Sequence, residues 1–236
     1  MPALRIISSM ATKQLLADLI DLYKKTQQHA TPPLQLPEIE LVSTGGVDAA
    51  ERVQAGEAFD VVALASNAID QLISAGKVVA GSRVDLVNSG VAVAVRTGVA
   101  HPDISSEAAV KQAVLVASTV GYSTGPSGVQ LAKLFEQWGI AAQIKDRIVT
   151  APPGVPVASL VAKGDVALGF QQLSELMNQT GVHVLGPLPP AIQITTIFSA
   201  GLAATSAQPQ AARALIAFFA SPEALDIKRR NGMEPV

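Results

Sequence analysis

The chain has 236 residues, 49% of them apolar and 15% charged, enough to bury a substantial core and, at about 100–150 residues per domain, to form two lobes. With 17 Lys and Arg and a formal charge of −2 there is no basic stripe for a polyanion, and Tyr23, Tyr122 and Trp138 are not grouped as a base-stacking platform, which argues against nucleic acid as a partner. Apolar runs are too short to cross a bilayer, so no membrane insertion is expected, and the lack of Cys excludes disulfides, thiol catalysis and Cys-ligated metals.

Met1 leads straight into the strand-like "LRII", with no basic region, long apolar run or small-residue cleavage site ahead of it. No export signal is read there, which leaves the location open between a cytoplasmic protein and an exported one whose leader has been removed. A loop, Ser8-Ser9-Met10, then opens a helix with Leu15, Leu16, Leu19, Ile20 and Tyr23 on one face. "PEIELVSTGGVDAAERVQAGE" repeats that plan with Ser43-Thr44-Gly45-Gly46 in the loop, and "AFDVVALASNAIDQLISAGK" repeats it with Ser66-Asn67 before a helix ending near Gly76. "GVAVAVR" reads as a strand closed by Arg96. "TVGYSTGPSG" is a strand and loop before a helix with Val129, Ala132, Phe135 and Trp138 at helical spacing. "DVALGFQQLSELMNQ" is a further strand and helix, and "QPQAARALIAFFAS" a terminal helix. The Pro-rich "TPPLQLP", "TAPPGVP" and "GPLPP" lie between these elements and read as ordered connections.

Such alternation predicts α/β architecture with parallel sheets covered on both faces, whose ligands collect at the carboxyl ends of the strands. Four of those ends carry Ser, Thr, Gly or Asn where the next helix opens. The first N–H groups of a helix lack partners within it and carry partial positive charge, so such loops can hold an anion without Lys or Arg. The same residues also serve as plain N-caps, and both readings stand at this point.

Other chemistry is sparse. There is no Walker loop, G-x-G-x-x-G or G-x-S-x-G, and no cofactor is expected. His29, His101 and His183 are far apart in sequence and lack metal-site spacing, so no metal is expected. Arg96 could pair bidentately with a ligand carboxylate. Gln171 and Gln172 sit at a strand end, where alternation sends one of them inward, and a buried Gln must find partners.

The order of elements resembles the molybdate-type branch of periplasmic substrate-binding proteins. The likeness runs from "SMATKQLLADL" through "STGGVDAAERVQAGEAFDVVALASNAIDQLISAGKV", "SRVDLVNSGVAVAVR", "GPSGVQLAKLFEQWGI" and "VAKGDVALGFQQLSEL" to "AFFASPEALDIKRRNGMEP". Molybdate binders place Ser in the first two loops, Ala in the third and Tyr in the fourth. Here those positions fall near Ala11, near Gly46 or Val47, on Ser127 and on Gln172. "YSTGPSGV" and "GFQQLSEL" are closer to a side branch that includes bacterial aconitate isomerase.

The resemblance implies a two-lobed type II binding-protein fold with a ligand cleft between lobes, lobe 1 from residues 1–83 plus 194–236 and lobe 2 from 84–193. It implies a monomer that binds a small anion, carboxylate or oxyanion, and that works with an ABC transporter permease, or alternatively an enzyme interconverting cis- and trans-aconitate. The expected contacts are Ser8, Ser9, Thr44, Gly45, Ser127, Gly128 and Gln172, with Arg96 as a charge partner. No catalytic residue is assigned.

Overall fold

β-Branched and leucine runs bounded by small polar loops become strands, and each is followed by a helix whose apolar stripe covers it. The computed structural model describes residues 2–29, 37–152 and 154–236, so residues 31–36 of the first Pro-rich segment and Pro153 of the second lie outside the described residues. The chain divides into two compact units, Met1–Asn88 with Ile197–Val236, and Ser89–Thr196.

The first unit opens with β1 (Leu4–Ser9), α1 (Lys13–Gln28), β2 (Ile39–Thr44), α2 (Gly46–Gln54), β3 (Val61–Ala65) and α3 (Ser66–Ser74). β1 pairs in parallel with both β2 and β3. Period-2 alternation divides their side chains between two cores. Leu4, Ile6, Val61 and Ala63 join Leu15, Leu16, Leu19, Ile20 and Tyr23 of α1, while Ile7, Val62 and Leu64 join Ala49, Val53, Ile69 and Leu72 of α2 and α3.

β4 (Val84–Arg96) carries the chain from the first unit into the second. There follow α4 (Glu107–Val116), β5 (Val120–Ser123), α5 (Pro126–Gln137), α6 (Ala141–Ile144), β6 (Ile148–Ala151), α7 (Val157–Lys163), β7 (Leu168–Gln172), α8 (Leu173–Leu176) and β8 (Val182–Pro187). β5 is parallel to β6 and β7, whereas β4 is antiparallel to β7 and β8. One face buries Val91, Val93, Leu168 and Phe170 with Val110, Leu131 and Phe135, and the other buries Ala92 and Ala94 with Ala158 and Leu176.

β9 (Thr195–Leu202) returns the chain to the first unit, antiparallel to β3. α9 (Pro209–Phe219), α10 (Leu225–Arg230) and β10 (Glu234–Pro235) complete it, β10 pairing with Val87 and Asn88 of β4.

Three expectations need correction. The sheets are mixed rather than wholly parallel, because the two strands that carry the chain from unit to unit, β4 and β9, run against their neighbours. In α5 the inward face is Ser127, Gly128, Leu131 and Phe135, whereas Val129 is 49% exposed. Gln171 and Gln172 are both buried, not one of them, since helices cover both faces of β7.

Candidate functional site

At the carboxyl edge of the first unit, register places Ser8 beside Ser43 and Ser9 beside Thr44. The Ser8 and Ser43 hydroxyls lie 2.7 Å apart, and Ser8 is fully buried. Ser9 precedes a 3-10 turn, Met10–Thr12, that leads into α1, and no side chain caps that turn. A Cβ on Gly46 would stand 3.7 Å from the Ser9 Cβ, so the first two loops touch. Gly45 is the N-cap of α2, which also lacks a side-chain cap. Thr44 does not point a free hydroxyl outward: it donates to the Asp48 carboxylate at 2.5 Å, in the first turn of α2. That carboxylate occupies the positive end of α2 and competes with an incoming anion there.

The second unit offers a cleaner receptor. α5 begins at Pro126 with Gly125 as N-cap, no side-chain cap and no acidic residue in its first turn. Pro126 has no N–H, and the helical ladder starts with Val129 N–H donating to the Gly125 carbonyl at 3.1 Å. Ser127 and Gly128 therefore supply the first-turn N–H groups left without ladder partners. Both residues are buried. Gly128 is required, because a Cβ there would overlap the Ser123 carbonyl. α4 differs: Ser106 Oγ accepts from Ala109 N–H at 3.2 Å, and Glu107 follows in the first turn.

Beside α5, at the carboxyl end of β7, the two glutamines are used internally. The Gln172 amide is satisfied when Oε1 accepts from Thr196 Oγ1 at 3.0 Å and Nε2 donates to Ser89 Oγ at 2.7 Å and to the Ser89 carbonyl at 3.0 Å. Gln172 thus holds together the segments where the chain enters and leaves this unit, instead of offering a free amide. Gln171 faces the other side, where Oε1 accepts from Ala158 N–H of α7 at 3.4 Å and Nε2 donates to Glu175 Oε1 at 2.7 Å. Desolvation pushes the Glu175 carboxyl up to about 7, outweighing the lowering effect of the Gln171 N–H. Sequence reading passed over Glu175, because nothing in "LSEL" shows that α8 is a single turn that turns a carboxyl inward.

Arg96 lies elsewhere. β4 runs antiparallel to β7 with Val91 opposite Gln172 and Ala94 opposite Gly169, so Arg96 falls at the amino end of β7, away from Gln172 and Ser127. Its expected role as charge partner to their ligand is not supported by this placement. His101 and His183, distant in sequence, stack with centroids 4.1 Å apart, and His29 Nδ1 lies 2.7 Å from the Lys25 carbonyl oxygen. Among the described residues no group of three or more His, Asp or Glu could hold a metal ion, and no helix is long and apolar enough to cross a membrane.

The family model of bacterial extracellular solute-binding proteins matches residues 4–234. The chain belongs to that family. Among curated relatives, aconitate isomerase from Pseudomonas sp is 39% identical over 188 residues, covering 78% of this chain and 71% of that protein. Two solved structures show the solute-binding fold at low identity. The periplasmic molybdate-binding protein of Azotobacter vinelandii has a TM-score of 0.78 at 18% identity, with 98% of each chain covered. The tungstate ABC transporter protein of Geobacter sulfurreducens has a TM-score of 0.72 at 16% identity, covering 95% of this chain and 97% of its own. The two-lobed type II architecture is thereby shown for this solute-binding protein.

Proposed function

We propose that this solute-binding protein takes a small polycarboxylate, of the size and charge of citrate or aconitate. The uncapped, uncharged opening of α5, with Ser127 and Gly128 as its donors, is the observation that carries this reading. Neutral donors bind a carboxylate through several charge-assisted hydrogen bonds, each worth about 1.5–3 kcal/mol. In the first unit, Ser9 and Gly45 are further candidate donors, with Ser8 and Thr44 holding their loops in place. A family member of this kind would pass its ligand to an ABC transporter permease. Isothermal titration with citrate, both aconitates, sulfate and molybdate tests it. Binding of a tri- or dicarboxylate, lost in Ser127→Trp, is expected, and submicromolar molybdate binding without carboxylate binding would sink it.

A second reading, isomerisation of aconitate, is supported by the 39% identical relative, with Glu175, on the Gln171 side of β7, as its candidate base. The reaction is an allylic shift. A base removes a proton from the methylene carbon, the electron pair moves through the double bond toward a carboxylate, and a proton returns at the former vinylic carbon. A carboxyl poised near neutrality suits both the removal and the return, and hydrogen-bond donors at the substrate carboxylate stabilise the charge on the delocalised anion. Incubating the purified protein with trans-aconitate and separating products by chromatography distinguishes the readings. Appearance of the cis isomer establishes catalysis, and binding without conversion leaves transport.

A further inference from the structure

We propose that the second unit carries a separate site for a small amphipathic monocarboxylate, at the edge of its sheet where Arg96 ends β4. A cavity of about 380 Å³ opens there, within the roughly 300–1,000 Å³ range of small-ligand sites. Val95, Val99, Val116 and Leu168 are among its apolar walls, and Arg96 is the single charged residue of its lining. All of the lining comes from one unit, residues 95–168.

Two further observations point to an occupant with both an apolar body and a negative charge. Val99 and Val116 are 37% and 67% exposed, so two of the six exposed large apolar side chains among the described residues converge on one opening. The Arg96 guanidinium, like those of Arg147, Arg213 and Arg230, has no acidic partner among the described residues, but it alone of these lines the cavity. Its place is nonetheless set. It lies against Gly164, where a Cβ would stand 3.2 Å from Nη1, and Gly164 is the left-handed C-cap of α7, with φ +88°. The negative end of α7 favours the cation there, and the guanidinium fork is free to meet a carboxylate. Aliphatic or aryl acids of the size of hexanoate or phenylacetate match this combination. A polycarboxylate does not, because its additional charges would face valine and leucine.

The test is a titration of the isotope-labelled protein with hexanoate, hexanol and hexylamine, followed by amide NMR shifts. Hexanoate is expected to move the amides of residues 95–100, Gly164 and Leu168, to bind about tenfold more tightly than hexanol, and to outcompete hexylamine. Arg96→Ala and Arg96→Gln each remove that tenfold advantage while leaving hexanol unaffected, and Ser127→Trp leaves hexanoate binding intact. Equal binding of acid and alcohol, indifference to both Arg96 substitutions, or shifts confined to residues 123–128 would overturn the proposal. So would a mass that rises with concentration and falls in Val116→Asp, since that would make the apolar rim an interface with a second copy. Failure here leaves the polycarboxylate reading untouched, because the two sites share no residue.

Discussion

Glu175 has a carboxyl that binds its proton more tightly in the folded chain than in the unfolded one, with a value of about 7 against an ordinary 4.5. Between those two pH values the unfolded chain has released the proton and the folded chain retains it, so this group's stabilising contribution is complete below 4.5 and is lost as pH rises through 7. Chemical denaturation across that range should show stability falling by up to about 3 kcal/mol in the wild type, with a flatter profile in Glu175→Gln. If the isomerase reading holds with Glu175 as its base, catalysis has the opposite pH dependence. Proton removal needs the carboxylate, so turnover of trans-aconitate should rise through about pH 7, and Glu175→Gln should lower it about 10²–10⁴-fold with KM little changed. A Glu175→Gln variant with full turnover would remove the residue from the mechanism. At Gln172 the expected free amide proved to be a buried tie between Ser89 and Thr196, and Gln172→Leu should cost about 1–3 kcal/mol by leaving those hydroxyls unsatisfied. Neither role could be read from "GFQQLSEL". Strand alternation places two adjacent glutamines on opposite faces, but only tertiary packing shows that both faces are covered.

Among the described helices only α4 has a side-chain cap, so what sets α5 apart is its open N-terminus together with buried Ser127 and Gly128. Ser106→Ala at α4 should cost about 1 kcal/mol of stability, measured by denaturation, and leave carboxylate affinity unchanged. Ser127 in α5 caps nothing, so Ser127→Ala should alter stability little and weaken the ligand severalfold, and a reversed pattern would make α5 an ordinary helix start. Gly128→Ala has a different consequence. Its Cβ overlaps the Ser123 carbonyl, so the β5–α5 junction must open and both stability and binding should fall together. The loop "STGPSG" was readable as an anion receptor or as a cap, since Ser and Thr suit both. Backbone geometry excludes a side-chain cap there, with Gly125 rather than a hydroxyl residue at the N-cap and Pro126 removing one donor, and the receptor reading stays a proposal. Helix faces were readable where periodicity was clean, as in α1, whose five expected residues are all buried. In α5 the apolar Val129 misled, because small Ser127 and Gly128 occupy the inward face that a hydrophobic count assigns to larger side chains.

For the whole molecule, strand–helix alternation and the likeness of "QAGEAFDVV" and "SPEAL" to binding proteins were enough to anticipate a two-lobed α/β fold, whereas strand direction at the crossings was not. Antiparallel entry by β4 and β9 follows from where the chain passes from unit to unit, a long-range property without local signature. That passage makes the first unit discontinuous. Its core joins Leu4, Ile6 and Leu16 to Phe198, Leu202, Leu215, Phe219, Ile227 and Met233, residues separated by nearly the length of the chain, while the second unit is one uninterrupted segment, Ser89–Thr196. A ribosome emits them in a fixed order. The inner segment has all its own contacts once its last residue emerges, and β1 and β3 pack one face on α2 and α3, but their α1 face must wait for β9, α9 and α10. Pulse-labelled nascent chains should therefore gain protease resistance over residues 89–196 early, with α1 cleavable until α9 and α10 have emerged. The amino-terminal third is thus the portion a chaperone would need to shield, even though it is made first.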